Sequence, residues 1–301
     1  MKAVVLKAYG DVENLVVQEM PEPKVGPGEV KVRVTAASIN PVDWKIRRGD
    51  MKDAMPMTFP AILGRDVSGE VVEVGQGVKD FKQGDRVMGV VSSGYAQTVV
   101  APVDVWAKVP DALELKDAAA LPLVTLTGVQ LIEEQMKVAK GATVLITGAV
   151  GAVGRAALFA AKARGAKVWA GVRTTQLEEA RKLGADGVVA LDDPKDVAKL
   201  PTLDAVADTV GGEAVAVVLD KVKRGGIVGS VVGPPKGAKE KGLEVRSFHS
   251  HPDGRRLAQL GESVAKGELF IPIGKTFKMD EAKEAQKHAE KGGSGKVLLV
   301  N

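Results

Sequence analysis

The chain of 301 residues contains no cysteine and only three histidines. Without cysteine it cannot form a disulfide, a thiol nucleophile, an iron–sulfur cluster bound by thiolates or a zinc site built on thiolates. Long hydrophobic runs are also missing: the uncharged stretch 118–132 is interrupted by Pro122 and Gly128, whereas a membrane span needs about 20 apolar residues. Because Lys7 follows only four apolar residues at the N-terminus, the start lacks a signal-peptide core. We expect a cytoplasmic protein that does not act at a membrane.

Charge of one sign is not in large excess. The chain has 42 basic and 38 acidic residues, a net charge of +4, and the basic residues are scattered in pairs such as Arg47 and Arg48. This distribution favours small anionic ligands and gives no stripe for nucleic acid. Glycine, in contrast, is abundant, with 35 residues, which is typical of a globular chain with many tight turns.

The pattern of the chain changes near Leu121. Up to about residue 110, short β-like runs alternate with Gly/Pro turns, which predicts a compact β module. After Leu121, apolar strands such as 143–147 and 167–172 alternate with helical stretches, one of them predicted over 214–224. Strands that are almost entirely apolar and alternate with helices predict a parallel, doubly wound sheet. After about Phe248 the alternation stops, so we expect the tail to return to the first module.

The sharpest local signal is a turn of small residues between the predicted strand 143–147 and the following helix. Small residues permit a tight turn and close approach of the backbone to a pyrophosphate, whose charge is stabilised by the N–H groups at the helix start. A close strand–helix crossing would need similar residues, but the surrounding strand–helix–strand spacing favours dinucleotide binding. The residues expected to contact the cofactor here are Gly148, Ala149, Gly151, Ala152, Val153 and Gly154.

The next strand indicates which dinucleotide is bound. NAD sites place an acidic residue about 20 residues after the glycines to hold the ribose 2′-OH, whereas NADP sites supply a cation or hydroxyls to the 2′-phosphate. Here the strand is followed by Arg173, Thr174 and Thr175, with no carboxylate before Glu178. The sequence therefore predicts NADPH. The alternative is that Arg173 is simply a solvated residue after a strand.

Five spaced motifs stand in a recognisable order, at residues 38–49, 62–89, 118–128, 144–154 and 295–300. Together they resemble the medium-chain dehydrogenase/reductase superfamily, in its zinc-free quinone oxidoreductase branch. The resemblance implies an α/β fold: a GroES-like β-domain from residues 1–121, to which 250–301 return, and an inserted Rossmann NADP-binding domain over 122–249. It also implies an oxidoreductase and, by analogy with the family, a homodimer, for which pairing of the edge strand 243–248 is a plausible route.

Zinc-dependent members of this superfamily bind catalytic zinc through a Cys and a His. At the matching places this chain has Asn40 and Arg65, and neither an amide nor a guanidinium replaces a thiolate or an imidazole on zinc. The loop of four cysteines that holds a structural zinc is missing as well, so no metal is expected. Without a Lewis acid, the resemblance implies hydride transfer to an acceptor that needs little activation, a quinone or an α,β-unsaturated carbonyl. The alternatives are an enoyl-thioester or alkenal reductase and a non-catalytic NADPH sensor.

The resemblance also carries candidate residues for the cleft that is expected between the domains. The catalytic candidates are Asn40, Asp43 and Arg65. Further candidates for cofactor binding are Pro41, Thr127, Gly211, Val231, Val232, Gly233, Phe248, His249 and Lys296.

Structural alternatives exist for several of these positions. Asn40 and Asp43 are also typical helix-capping residues, and Arg65 could form a structural ion pair with Asp66. We expect Tyr95 to be a packed strand residue and not a proton donor. The resemblance implies that relatives that reduce enoyl thioesters have a tyrosine in the stretch that corresponds to 44–51. Its absence here disfavours that activity and leaves the proton donor open between a residue and water.

Overall fold

The computed structural model describes residues 1–293 and 295–301, which form two compact units. The first unit is discontinuous and combines residues 1–123 with 252–301, and the second comprises residues 124–251. None of the helices in the described residues is long and apolar enough to span a bilayer.

The elements follow the chain in this order. The strands are β1 (Lys2–Leu6), β2 (Leu15–Glu19), β3 (Glu29–Ile39), β4 (Ala61–Ile62), β5 (Asp66–Val74), β6 (Arg86–Val90), β7 (Thr98–Pro102), β8 (Trp106–Lys108), β9 (Thr143–Thr147), β10 (Lys167–Val172), β11 (Gly187–Ala190), β12 (Leu203–Asp208), β13 (Val222–Ser230), β14 (Glu244–Ser247), β15 (Ile273–Lys278) and β16 (Lys296–Val300). The α-helices are α1 (Pro41–Arg48), α2 (Leu115–Ala118), α3 (Pro122–Gln130), α4 (Ala152–Ala163), α5 (Leu177–Arg181), α6 (Pro194–Ala198), α7 (Glu213–Ala216), α8 (Gly254–Ala265) and α9 (Ala282–Glu290).

The first unit is built around β3, its longest described strand. Val30, Val32 and Val34 alternate with more exposed residues along β3, so one face of the strand is buried in the core. β3 pairs antiparallel with β5, β7 and β16, within a sheet that runs in the order β15-β16-β3-β5-β6-β8. The C-terminal strand therefore lies beside a strand that is about 260 residues earlier in the chain, with Val297 opposite Ile39.

The second unit contains a parallel sheet in the order β11-β10-β9-β12-β13-β14. Its inner strands are buried along almost their whole length, as expected when helices cover both faces. The predicted doubly wound parallel sheet is confirmed. In such a sheet, ligands bind outside the carboxyl ends of the strands, where the strand order reverses.

One predicted element is wrong. The helix expected over 214–224 is only the short α7, and the chain is extended again from Val222. Val222 starts β13 opposite Leu203 of β12, and the parallel pairing of these strands outweighs the helical pattern of the side chains. Local periodicity could not reveal this pairing partner.

Candidate functional site

A cluster of buried polar side chains lies in the first unit, where β3 ends and β5 and β16 begin. One carboxylate oxygen of Asp66, Oδ2, accepts hydrogen bonds from the Ser38 hydroxyl and the Asn40 amide, both at 2.8 Å. Lys296 Nζ lies 3.5 Å from the same oxygen and donates to Asn40 Oδ1 at 2.7 Å. These four side chains, which we call the Asp66 cluster, are at most 6% exposed. The opposite charges of Asp66 and Lys296 are thus paired, and both ends of the Asn40 amide are held by the chain itself.

Asp43 extends this cluster at the start of α1. Its Oδ2 accepts two hydrogen bonds, from the backbone N–H of Asn40 at 2.8 Å and from the hydroxyl of Tyr95 at 2.9 Å. Asp43 therefore caps the first turn of α1, as one of the structural alternatives expected, whereas the Asn40 side chain turns into the Asp66 cluster. Gly64, at φ +100°, makes room for Tyr95, because a Cβ there would lie 2.5 Å from the ring.

Burial governs the acid–base properties of these groups. It raises the pKa of Asp43 to about 6, against the lowering effect of the hydrogen bonds from Asn40 and Tyr95. Burial also raises the pKa of Tyr95 well above its usual value, and the charge of Asp43 acts in the same direction. For Lys296, burial lowers the pKa, while Asp66 and Asp43 oppose this effect. Desolvation disfavours the charged form of each group.

Arg65 lies immediately before β5, but outside the hydrogen-bonded cluster. Asp66 pairs with Lys296 and, among the described residues, not with Arg65, so the structural alternative of an Arg65–Asp66 ion pair is wrong. The Nε atom of Arg65 is buried and has no hydrogen-bond partner in the described part of the chain. Leaving a buried donor without a partner costs free energy of folding. Among the three predicted catalytic residues, Arg65 therefore has a polar group that no residue in the described part of the chain uses.

In the second unit, the predicted glycine turn connects β9 to α4. Gly148 has φ +63°, and a Cβ on Gly154 would lie 2.2 Å from the Gly148 carbonyl oxygen. Gly151 precedes the first helical residue, Ala152, and provides no side-chain cap. The first N–H groups of a helix have no partner within it, so this start of α4 presents backbone donors from Ala152, Val153 and Gly154.

Asp208, at the end of β12, holds the neighbouring strand ends together. Its fully buried carboxylate accepts hydrogen bonds from the hydroxyls of Thr147 (2.8 Å) and Ser230 (2.9 Å), which end β9 and β13. It also accepts from the backbone N–H groups of Val210 and Gly211, at 3.2 and 2.8 Å. Asp208 therefore fixes the backbone of the turn in which the predicted cofactor residue Gly211 lies.

The remaining cofactor candidates of the second unit follow the ends of β13 and β14 or lie on α3. Val231, Val232 and Gly233 follow β13, and Val232 is 41% exposed. Phe248 and His249 follow β14. Thr127 on α3 donates a hydrogen bond to Ser250 at 2.9 Å. The carboxyl end of the parallel sheet thus brings most of these candidates together, whereas Asn40, Pro41, Asp43, Arg65 and Lys296 belong to the first unit.

The predicted 2′-phosphate residues form an exposed turn after β10. Arg173, Thr174 and Thr175 are all exposed, and the Arg173 guanidinium has no ion pair in the residues that the structure describes. Thr174 is already engaged, because its N–H and hydroxyl both donate to Asp192, at 2.7 and 2.9 Å.

The sequence reasoning missed three acidic residues that organise these sites. The sequence suggests Asp66 only as a partner of Arg65, and our sequence interpretation includes neither Asp192 nor Asp208. For Asp208 a signal existed, since this acidic residue directly follows the apolar run 205–207 at the end of the strand and needs partners if it is buried. The partners themselves, Thr147 and Ser230, lie 61 and 22 residues away in sequence.

Two family models match the chain. Residues 26–111 match the alcohol dehydrogenase GroES-like domain, and residues 183–299 match the zinc-binding dehydrogenase model. The β-rich first unit and the doubly wound second unit agree with these two models, so the predicted GroES-like and Rossmann-type fold class is confirmed.

Similar proteins cover nearly the whole chain. The chloroplast envelope quinone oxidoreductase homolog of Arabidopsis thaliana is 35% identical, over 99% of this chain and 98% of its own length. A mitochondrial NAD(P)H oxidoreductase of Homo sapiens is 32% identical, over 100% of this chain and 89% of its own length. Among solved structures, the quinone oxidoreductase from Coxiella burnetii is 30% identical and superimposes with a TM-score of 0.87, covering 100% of this chain and 99% of that one.

Proposed function

Because this chain belongs to the medium-chain dehydrogenase/reductase superfamily, in its quinone oxidoreductase-like branch, and is an oxidoreductase, we propose that it reduces quinones or activated α,β-unsaturated carbonyls with NADPH and without zinc. The observation that carries the proposal is the start of α4. The N-terminus of α4 has no side-chain cap and follows a turn in which Gly148 and Gly154 have no space for a Cβ. Such a turn suits the pyrophosphate of a dinucleotide.

The residues of the second unit fit a nicotinamide dinucleotide. The backbone donors of Ala152, Val153 and Gly154 would hold the pyrophosphate, and Arg173 would pair with the 2′-phosphate. Beyond β12 and β13, the half-exposed Val210 and Val232 border the Gly211 turn and would form an apolar contact for the cofactor. When bound, NADPH supplies a hydride from its nicotinamide ring.

The reduction also needs a proton. A quinone takes up one hydride and one proton to become a hydroquinone, and an enone takes up the same two species across its C=C bond. Tyr95 is unsuited to supply the proton, because its hydroxyl is fully buried, donates to Asp43 and has a raised pKa. We therefore assign the proton to water, which requires no dedicated residue.

The residues at the positions of the family's zinc ligands do not fit a metal. Asn40 is committed to Asp66 and Lys296, and Arg65 is a cation. Within residues 1–293 and 295–301, no three His, Asp or Glu side chains gather as a metal site would require. Lys296 and Asp66 instead occupy the two polar ends of the Asn40 amide, which supports a zinc-free reaction.

The acceptor is tested by NADPH consumption at 340 nm with a panel of ortho- and para-quinones, enones, alkenals and enoyl thioesters. We expect turnover with quinones or enones. Turnover restricted to enoyl thioesters would instead assign the chain to the alternative reductase class. Tight NADPH binding without turnover on any acceptor would favour a sensor.

The choice of cofactor is tested at Arg173. We expect Arg173→Glu to weaken NADPH binding by at least tenfold, because a cation facing the 2′-phosphate becomes an anion. NADH binding should change much less, since its ribose has no phosphate. Fluorescence titration with both cofactors measures the ratio, and an unchanged ratio would refute the NADPH assignment.

A further inference from the structure

Asp192 is an exposed carboxylate beside the turn that we assign to the 2′-phosphate. It lies two residues beyond the end of β11, the strand that pairs with β10 in parallel. Both donors of Thr174 reach the same oxygen of Asp192, Oδ1: the N–H at 2.7 Å and the hydroxyl at 2.9 Å. Asp192 therefore anchors the backbone that follows Arg173.

These hydrogen bonds determine which donors of the turn remain available to a phosphate. Thr174 directs its N–H and its hydroxyl hydrogen to Asp192, so the donors that remain for a phosphate come from Arg173 and Thr175. The hydrogen bonds from Thr174, together with the nearby charge of Arg173, lower the pKa of Asp192. Asp192 is consequently ionised at neutral pH, and its charge partly offsets that of Arg173.

We propose that Asp192 is a specificity-determining residue that limits the preference for NADPH over NADH. The inference rests on the proposed cofactor site. A 2′-phosphate carries a charge of about −1.5 to −2 at pH 7, so a carboxylate that is hydrogen-bonded to the same turn repels it. NADH has a 2′-hydroxyl at that position and experiences no such repulsion. Asp192 thus orders the turn for either cofactor while it reduces the advantage that Arg173 gives to NADPH.

The charge of Asp192 can be removed by a substitution that keeps its hydrogen bonds. Because both hydrogen bonds from Thr174 end on Oδ1, the amide oxygen of Asp192→Asn can accept both of them. Asp193 offers a matched control: its Oδ1 accepts the N–H of Lys195 at 2.9 Å at the start of α6, and Asp193→Asn can keep that bond. The two variants lose the same charge at adjacent residues, but only Asp192 contacts the turn.

The experiment is a fluorescence titration of the full chain and both variants with NADPH and with NADH. We expect Asp192→Asn to tighten NADPH binding about five- to tenfold, the effect of one charge acting on a phosphate across a few ångströms of solvent. NADH binding should stay within about twofold, and Asp193→Asn should change neither cofactor by more than that. In 0.5 M salt the gain for NADPH should shrink, since solvent-exposed charges are screened.

Several results would overturn the inference. These are an unchanged NADPH-to-NADH ratio in Asp192→Asn, an equal change for both cofactors, or the same change in Asp193→Asn. A wild-type chain that binds neither cofactor would refute the proposed function itself. If wild-type prefers NADH and Asp192→Asn still selectively tightens NADPH, the NADPH assignment fails while the role of Asp192 is supported.

Discussion

Asp43 is a buried carboxyl whose two hydrogen-bond donors share one oxygen. Asn40 N–H and Tyr95 OH both donate to Oδ2, so an amide at this position can keep both bonds through its single oxygen. The charge itself is unfavourable, since burial raises the pKa of Asp43 from 3.8 to about 6. A carboxyl with a raised pKa in the folded state reduces stability wherever it is ionised.

We predict that Asp43→Asn is more stable than wild type at pH 7.5. The gain is up to about 3 kcal/mol, the free energy that corresponds to a shift of about two pKa units. Folded Asp43 binds its proton below about pH 6, whereas the unfolded chain does so only near pH 4, so wild-type stability recovers as the pH falls through this range. The advantage of the variant should shrink to about half at pH 5. Urea unfolding of both proteins at the two pH values measures the difference.

A matched control is Asp53→Asn, which removes an exposed carboxyl of the same unit. Its effect on the free energy of unfolding should be small and independent of pH. If Asp43→Asn were less stable than wild type at pH 7.5, or if the difference did not change with pH, the account of this buried group would be wrong.

At the residue scale, the sequence could single out several polar residues that are buried in the first unit, but not all of their partners. Asn40, Asp43 and Lys296 could be singled out by resemblance. The bond between Lys296 and Asn40 spans 256 residues, and the pair between Lys296 and Asp66 spans 230. Arg65 and Asp66 are adjacent, which suggested a pair, but Lys296 approaches Asp66 from the other end of the chain.

At the scale of elements, helices α3 and α4 approach each other through glycine. A Cβ on Gly128 of α3 would lie 2.5 Å from the Val153 carbonyl oxygen and 2.6 Å from the Ala157 nitrogen, both in the backbone of α4. Val153 belongs to the first turn of α4, which presents the proposed pyrophosphate donors. The close packing of α3 therefore supports the position of the binding turn.

We predict that Gly128→Ala destabilises the protein by up to about 2 kcal/mol and weakens NADPH binding. Alanine in a helix gains about 1 kcal/mol over glycine, but overpacking against a rigid backbone costs about 1–3 kcal/mol or more. Thermal unfolding with and without NADPH measures both effects.

Gly261 in α8 provides the matched control, because it is also a buried helical glycine. A Cβ there would meet the flexible end of Met88, with Cε at 2.7 Å, which can move away. Gly261→Ala should therefore be neutral or slightly stabilising. Equal effects of the two substitutions would contradict the proposed role of the α3–α4 contact.

The sequence predicted elements well where periodicity and turn signals agreed. Helix α4 starts at Ala152, directly after the glycine turn, as expected. Residues 214–224 show the opposite case, because a helical pattern there extends into β13, and only the pairing of β13 with β12 determines where the strand begins. Strand pairing is non-local, so single-sequence patterns cannot resolve such a boundary.

At the scale of the whole molecule, the first unit is assembled from both ends of the chain. β16 pairs with β15 on one side and with β3 on the other, so the C-terminal residues are an inner part of that sheet. The loss of strand–helix alternation near residue 248 indicated a change of architecture. This loss of alternation predicted that the tail returns to the first module, but nothing in the local pattern identifies β3 as the partner of β16.

The absence of cysteine also concerns the whole molecule, because it removes the thiolates that could bind zinc. The chain shares a family with zinc-binding dehydrogenases, yet the Asp66 cluster binds Asn40 through a lysine and a carboxylate. This contrast supports our proposal that the chain reduces acceptors that are electrophilic enough to take a hydride without a metal.

The most direct test measures zinc content and turnover on the same protein sample. Purified enzyme is analysed for zinc, and NADPH oxidation with the best quinone or enone acceptor is followed at 340 nm before and after treatment with a strong chelator. We predict far less than one zinc per chain and an unchanged rate after chelation. Stoichiometric zinc, together with loss of turnover on chelation and recovery on adding zinc back, would contradict the account.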